Sequence, residues 1–111
     1  MDSETTLLNI RALNDAVRAR PYTGELFVTR GITDLPWHEQ ADILARVQTF
    51  DDFTEDNDPH GEHDFGSFAH HGRTIFWKID YFDLLLKYGS RDPSDPAATR
   101  RVLTILLAEE Y

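Results

Sequence analysis

The sequence predicts an α+β domain. A small, largely antiparallel sheet, made of one strand plus a β-hairpin, carries about three helices packed against it, in the order α-β-α-β-β-α. Two patterns and one absence predict this. Apolar residues recur at helical spacing over residues 4–19 and 34–49. They alternate with polar neighbours over 25–30, and again over 65–69 and 74–81, where four residues separate two strand-like runs. No glycine-rich dinucleotide or phosphate-loop motif is present, which sets aside a doubly wound nucleotide fold. At 111 residues the chain reads as a single domain, 1–111.

The first helix follows from Leu7, Ile10, Leu13 and Val17, one turn apart, with Leu8 and Ala16 widening the stripe and Ser3 as N-cap. Pro21 stops it, Thr23-Gly24 turns the chain, and Leu26 and Val28 mark a short strand that Gly31 ends. Asp34, with Pro36 behind it, starts a second helix through about Thr49, burying Leu35, Ala41, Ile43, Leu44 and Val47. Residues 51–64 show no helical period and read as a loop. In the second hairpin strand Ile75, Trp77 and Ile79 share one face, while Phe76, Lys78 and Asp80 share the other. Phe76 there implies that this face too is partly covered. Leu84-Leu85-Leu86 fits either an extension of the sheet or a turn of helix. Asp95 and Pro96 predict a last helix through Glu109, with Val102, Leu103, Ile105, Leu106 and Leu107 as a broad apolar face.

Composition narrows the function. Twenty Asp and Glu against eleven Lys and Arg give a formal net charge of -9. Such a surface repels nucleic acid and anionic membranes, which are bound through cationic side chains, and suits docking on a basic protein surface. No direct nucleic-acid binding and no membrane association are expected. Without cysteine there is no disulfide, thiolate nucleophile or cysteine zinc site. Met1-Asp2-Ser3-Glu4 is acidic where a secretory leader starts basic, and no apolar run is long enough to span a bilayer. A cytoplasmic protein is expected.

Residues 51–64 hold seven acids and no Lys or Arg: Asp51, Asp52, Glu55, Asp56, Asp58, Glu62 and Asp64. Their mutual repulsion destabilises the chain unless cations or backbone donors offset it. Three readings compete. Single acids can cap the second helix or build turns with Asn57 and Gly61. Alternatively, Asp56, Asp58, His60, Glu62, His63 and Asp64 can hold a hard cation, as a cation-binding protein or a metal-dependent enzyme would. Asp56, Asp58 and Gly61 stand at positions one, three and six of a calcium loop, but position five is His60, a poor calcium ligand, and position twelve is Ser67, where the EF-hand requires a bidentate Glu, so that motif fails. In the third reading the acids form a docking surface, with Phe53 and Phe50 as apolar anchors among them.

His60, His63, His70 and His71 fall within twelve residues but not at the helical spacing of a zinc HExxH pair. His70 and His71 read as exposed residues at a hairpin tip. Ser67 and Ser90 lack a nucleophile elbow, and the crowded acids lack an apolar pocket that would separate an acid from a base. Lys78 reads as half of a structural ion pair, and Arg100-Arg101 as partners of neighbouring acids or braces for the acidic loop. No cofactor and no catalytic residue are expected.

Four stretches carry a resemblance: Phe50-Asp51-Asp52-Phe53-Thr54-Glu55-Asp56-Asn57-Asp58-Pro59, Gly61-Glu62-His63-Asp64-Phe65-Gly66, Phe76-Trp77-Lys78-Ile79-Asp80-Tyr81 and Thr99-Arg100-Arg101-Val102-Leu103-Thr104. From Ile10 through Tyr111 the chain resembles a domain-of-unknown-function family of small alphaproteobacterial proteins, often borne on plasmids and other mobile elements. That resemblance brings no catalytic residues. It implies a setting in which small acidic proteins often act as anti-CRISPR or anti-restriction factors, some by mimicking DNA. By that analogy of charge and setting, the expected function is a non-enzymatic inhibitor of a CRISPR effector or restriction complex. Its partner-binding residues would be Asp51, Asp52, Phe53, Glu55, Asp56, Asp58, Glu62 and Asp64.

Overall fold

The computed structural model describes residues 3–111; the opening Met1-Asp2 lies outside the described residues. Helix α1 spans Ser3–Ala19 and gives way to a 3-10 turn at Pro21–Thr23. Strand β1 (Glu25–Val28), the short helix α2 (Arg30–Thr33) and helix α3 (Trp37–Gln48) follow. The acidic loop then leads into β2 (Phe65–His70), β3 (Arg73–Phe82) and β4 (Arg100–Leu107), with a closing 3-10 turn at Ala108–Glu110.

Among the described residues four strands form one sheet, in the order β1-β4-β3-β2. Only β1 and β4 run parallel; β2–β3 and β3–β4 are antiparallel. The fold class is therefore the α+β one that the sequence predicts, with a largely antiparallel sheet and helices gathered on one side. Register sets the faces. Trp77 pairs with Gly66 on one side and Ile105 on the other, and Ile79 with Leu103, so these residues share the face that meets the helices. Val17 of α1, Ile32 of α2, and Ile43 and Val47 of α3 close over them into one core. The buried positions expected of Trp77, Ile79, Leu103 and Leu106 are all found. On the far face Phe76 is flanked edge-on by Phe65 and Tyr111, which supply the partial cover it requires.

Two expectations need correcting. The last helix expected over 95–109 is strand β4. Asp95 and Pro96 instead make a turn, in which Asp95 Oδ1 accepts from the Ala97 amide. Residues 101–105 alternate between buried and half-buried, but Leu106 on the far face is buried too, so Ile105-Leu106-Leu107 reads as an unbroken apolar run, which periodicity alone does not tell from a helix. The second helix also begins later, at Trp37. Asp34 ends α2, which contains Gly31, and Pro36 caps α3. Residues 83–91 are turns, tied to the sheet by one bridge between Phe82 and Gly89.

Candidate functional site

Helix α1 has a polar stripe beside its apolar one. Arg11, Asn14, Asp15 and Arg18 recur at intervals of three and four, so they lie on one side of the helix. That side faces the acidic loop. Arg11 Nε donates to the Gly61 carbonyl at 2.7 Å. Asn14, fully buried, donates to the Glu62 carbonyl at 3.0 Å and to the Tyr81 hydroxyl at 2.7 Å. Its own carbonyl accepts from Arg101 Nε at 2.7 Å. Tyr81 passes the chain on to the Glu62 carboxylate at 2.6 Å. Arg101 also lies over the Tyr81 ring and reaches the Pro93 carbonyl. Burial, reinforced by the Glu62 carboxylate, holds the Tyr81 hydroxyl protonated far above its ordinary value. Burial pulls the Arg101 guanidinium down, against the opposing pull of the Glu62 charge.

A second clamp lies one turn along α1. Arg18 donates to the Val47 and Phe50 carbonyls at 3.0 and 2.7 Å and to Asp15 at 3.0 Å, with its guanidinium over the rings of Trp77 and Phe53. Asp15 Oδ1 also meets His63 Nδ1 at 2.9 Å, and the imidazole stacks on Phe53 at 3.7 Å between centroids. Asp58, at the far side of that ring, accepts the His63 amide at 3.2 Å. Inside the loop, Asn57 accepts the Thr54 amide and donates to the Asp52 carbonyl, both at 2.8 Å. Gly61 takes a positive φ of 69°, which glycine adopts without a Cβ penalty. The loop is thus a fixed structure pinned to α1.

The predicted site residues divide. Asp51, Asp52, Glu55 and Asp56 face solvent. Asp58 is buried against His63, and Glu62 is engaged with Tyr81. Asp64 is half-buried; loss of solvent, then the Glu62 charge, raise its carboxyl above the ordinary value. Phe53 and Phe50 point inward, edge-on to Trp77. His60 is exposed, and His63 is spent on its two carboxylates. Among the described residues, no three ligating groups drawn from 51–64 converge as a metal requires. Three others stand close together: Glu39, His70 and His71, whose ligating atoms lie within 4.8 Å of one another. His70, expected at an exposed tip, is buried against Glu39. Lys78 pairs with Asp80 at 2.8 Å, and Arg100 with Glu25.

Sequence reasoning missed Arg11, Asn14, Asp15, Arg18 and Glu39. The polar stripe of α1 was visible in its spacing, but its partners outside the helix lie 29 to 87 residues away. Glu39 lies 31 residues from His70, and no local pattern joins them.

Residues 28–110 match the model of a family described as a protein of unknown function (DUF3768), and the chain belongs to that family. The match begins at Val28, so α1 with its two clamps precedes it. No curated protein and no solved structure matches the chain.

Proposed function

We propose that this member of a family of unknown function is a non-enzymatic binding module that docks an acidic ridge on a basic partner surface. The sharpest form of the proposal is a cytoplasmic inhibitor of a nucleic-acid-binding defence complex, an anti-CRISPR or anti-restriction factor whose carboxylates stand where phosphates would. One observation carries it. Asp51, Asp52, Glu55 and Asp56 face water on a loop whose backbone is hydrogen-bonded to α1 and to itself. A ridge held rigid before binding loses little entropy on docking. The inward acids take a different part. Asp58 and Glu62 hold the loop's shape, so Asp51, Asp52, Glu55 and Asp56 form the contact set and the others support it. The partner supplies Lys and Arg, and the net charge of -9 steers it in.

The test uses a purified CRISPR effector or restriction complex and its DNA. The wild-type protein should compete with DNA for the complex, bind no DNA itself, and compete less well as salt is raised. Replacing Asp51, Asp52 and Asp56 by Asn and Glu55 by Gln should slow association about tenfold, within the range of electrostatic steering, and leave the melting temperature unchanged. Equal competition by the mutant would remove the ridge from the mechanism. If no such complex is bound at low salt, the defence-inhibitor reading falls.

A further inference from the structure

The β2–β3 hairpin closes through His71-Gly72, both with positive φ, 48° and 78°. This is the backbone of a type I′ turn, whose first position favours Asn, Asp or Gly. Here it holds a histidine, and the left-handed backbone lays that ring on the ring of His70, 4.2 Å away and 7° from parallel. Both imidazoles reach one oxygen of Glu39, in the first turn of α3. His70 Nε2 lies 3.1 Å from Glu39 Oε1, and His71 Nδ1 lies 3.3 Å from it. His70 is buried, while the His71 side chain is 72% exposed.

We propose that Glu39, His70 and His71 form a binding site for a divalent transition-metal ion, zinc being the ion this donor set suits. Ligands ~2.0–2.1 Å from a tetrahedral zinc stand about 3.3–3.4 Å from one another. The two nitrogen–oxygen separations already approach that value. The third edge, between the two nitrogens, closes by rotating His71, whose ring must leave the stack so that the metal lies in both ring planes. Two imidazoles and one carboxylate select zinc or a neighbouring transition metal over calcium or magnesium, which take oxygen ligands. Binding places the ring protons on His70 Nδ1 and His71 Nε2, freeing the facing lone pairs.

An open hollow of 520 Å³ adjoins the two histidines, lined also by Asp42 and Arg46. It leaves room for a fourth ligand, which in the free protein is water. Arg46 keeps its positive charge, which solvent screens at this exposed position, but is held in place. Its guanidinium donates to the Ala69 carbonyl at 2.5 Å and lies over the Phe68 ring. The site is separate from the acidic ridge and does not depend on it.

Calorimetric titration of zinc chloride into the full chain, in chelator-free buffer near neutral pH, tests the proposal. One zinc should bind per chain. His71→Ala and Glu39→Gln should each weaken it by at least about tenfold, since even groups outside the ligand sphere cost that much. His71→Ala removes an exposed side chain and should keep the wild-type melting temperature, which separates lost binding from lost folding. His60→Ala, in the acidic loop, should bind as the wild type does. In NMR spectra zinc should shift the ring signals of His70 and His71 and leave those of His60 in place. Absence of stoichiometric binding, survival of binding in both variants, or its loss in His60→Ala would overturn the assignment.

Discussion

Asn14 is the residue through which helix, loop and sheet meet, so Asn14→Ala tests whether the acidic loop is clamped. The side chain is completely buried and makes three hydrogen bonds. Two are to neutral acceptors, and losing each costs ~1 kcal/mol; the third comes from a guanidinium and is worth ~1.5–3 kcal/mol. Truncation strands the Arg101 Nε donor in a site too buried for water to replace the amide freely. The sum is about 3–5 kcal/mol, a large part of the ~5–15 kcal/mol that holds a domain of this size together. Urea unfolding measures it. Trp77, fully buried, reports the transition, while Trp37, exposed on α3, adds a nearly constant signal. At ~1–3 kcal/mol per molar of urea, the midpoint should fall by about 2 M with an unchanged slope. A loss below about 1 kcal/mol would show that the Arg101–Asn14–Tyr81–Glu62 chain does not hold the loop, and the preorganised ridge would lose its physical basis.

Two further perturbations probe the same arrangement. A Cβ at Gly66 would sit 2.3 Å from the Trp77 indole nitrogen, so Gly66→Ala should overpack the core and cost ~1–3 kcal/mol in the same urea assay; an unchanged midpoint would mean that the indole moves aside freely. For Asp64, burial and the neighbouring Glu62 charge raise the folded carboxyl above its ordinary 3.8. The folded state therefore holds this proton more tightly than the unfolded state does. Its contribution to stability falls as pH climbs from the ordinary value through the raised one, and the full penalty stands above both. Asp64→Asn should flatten that part of the stability–pH curve and raise the melting temperature at neutral pH, and a variant that melts lower there would contradict the sign.

The elements read correctly from sequence were those with one buried face. In α1 and in β2–β3, apolar residues recur at the period of the element because polar ones occupy the side turned to water. β4 blurs this rule because its C-terminal end is buried on both faces. Arg101, Leu103, Ile105 and Leu107 look toward the helices, while Val102, Thr104 and Leu106 share the opposite face, where Leu106 is buried beside Phe76. The even spacing was there to find, and β-branched Val102, Thr104 and Ile105 favour a strand, but Asp95-Pro96 suggested a helix start. What no sequence pattern carried was the pairing of distant polar residues. Asn14 with Arg101, and Glu39 with His70, meet only after the sheet order β1-β4-β3-β2 is set.

That distinction bears on how the acidic loop should be understood. Seven acids without a basic residue between 51 and 64 look from sequence like a uniform charged patch. In the fold they divide by the direction of their partners. Asp58 accepts a backbone amide, Glu62 accepts a tyrosine hydroxyl, and the backbone carbonyls of 61 and 62 accept from Arg11 and Asn14. These bonds give the loop a fixed shape without using the carboxylates of Asp51, Asp52, Glu55 and Asp56. Solubility alone requires only charge, and a mobile tail would deliver it. A folded support for exposed charges is needed when their positions matter, which they do when a partner must read them. The support is therefore the stronger argument for docking, and it rests on buried residues of α1 that carry almost none of the loop's charge.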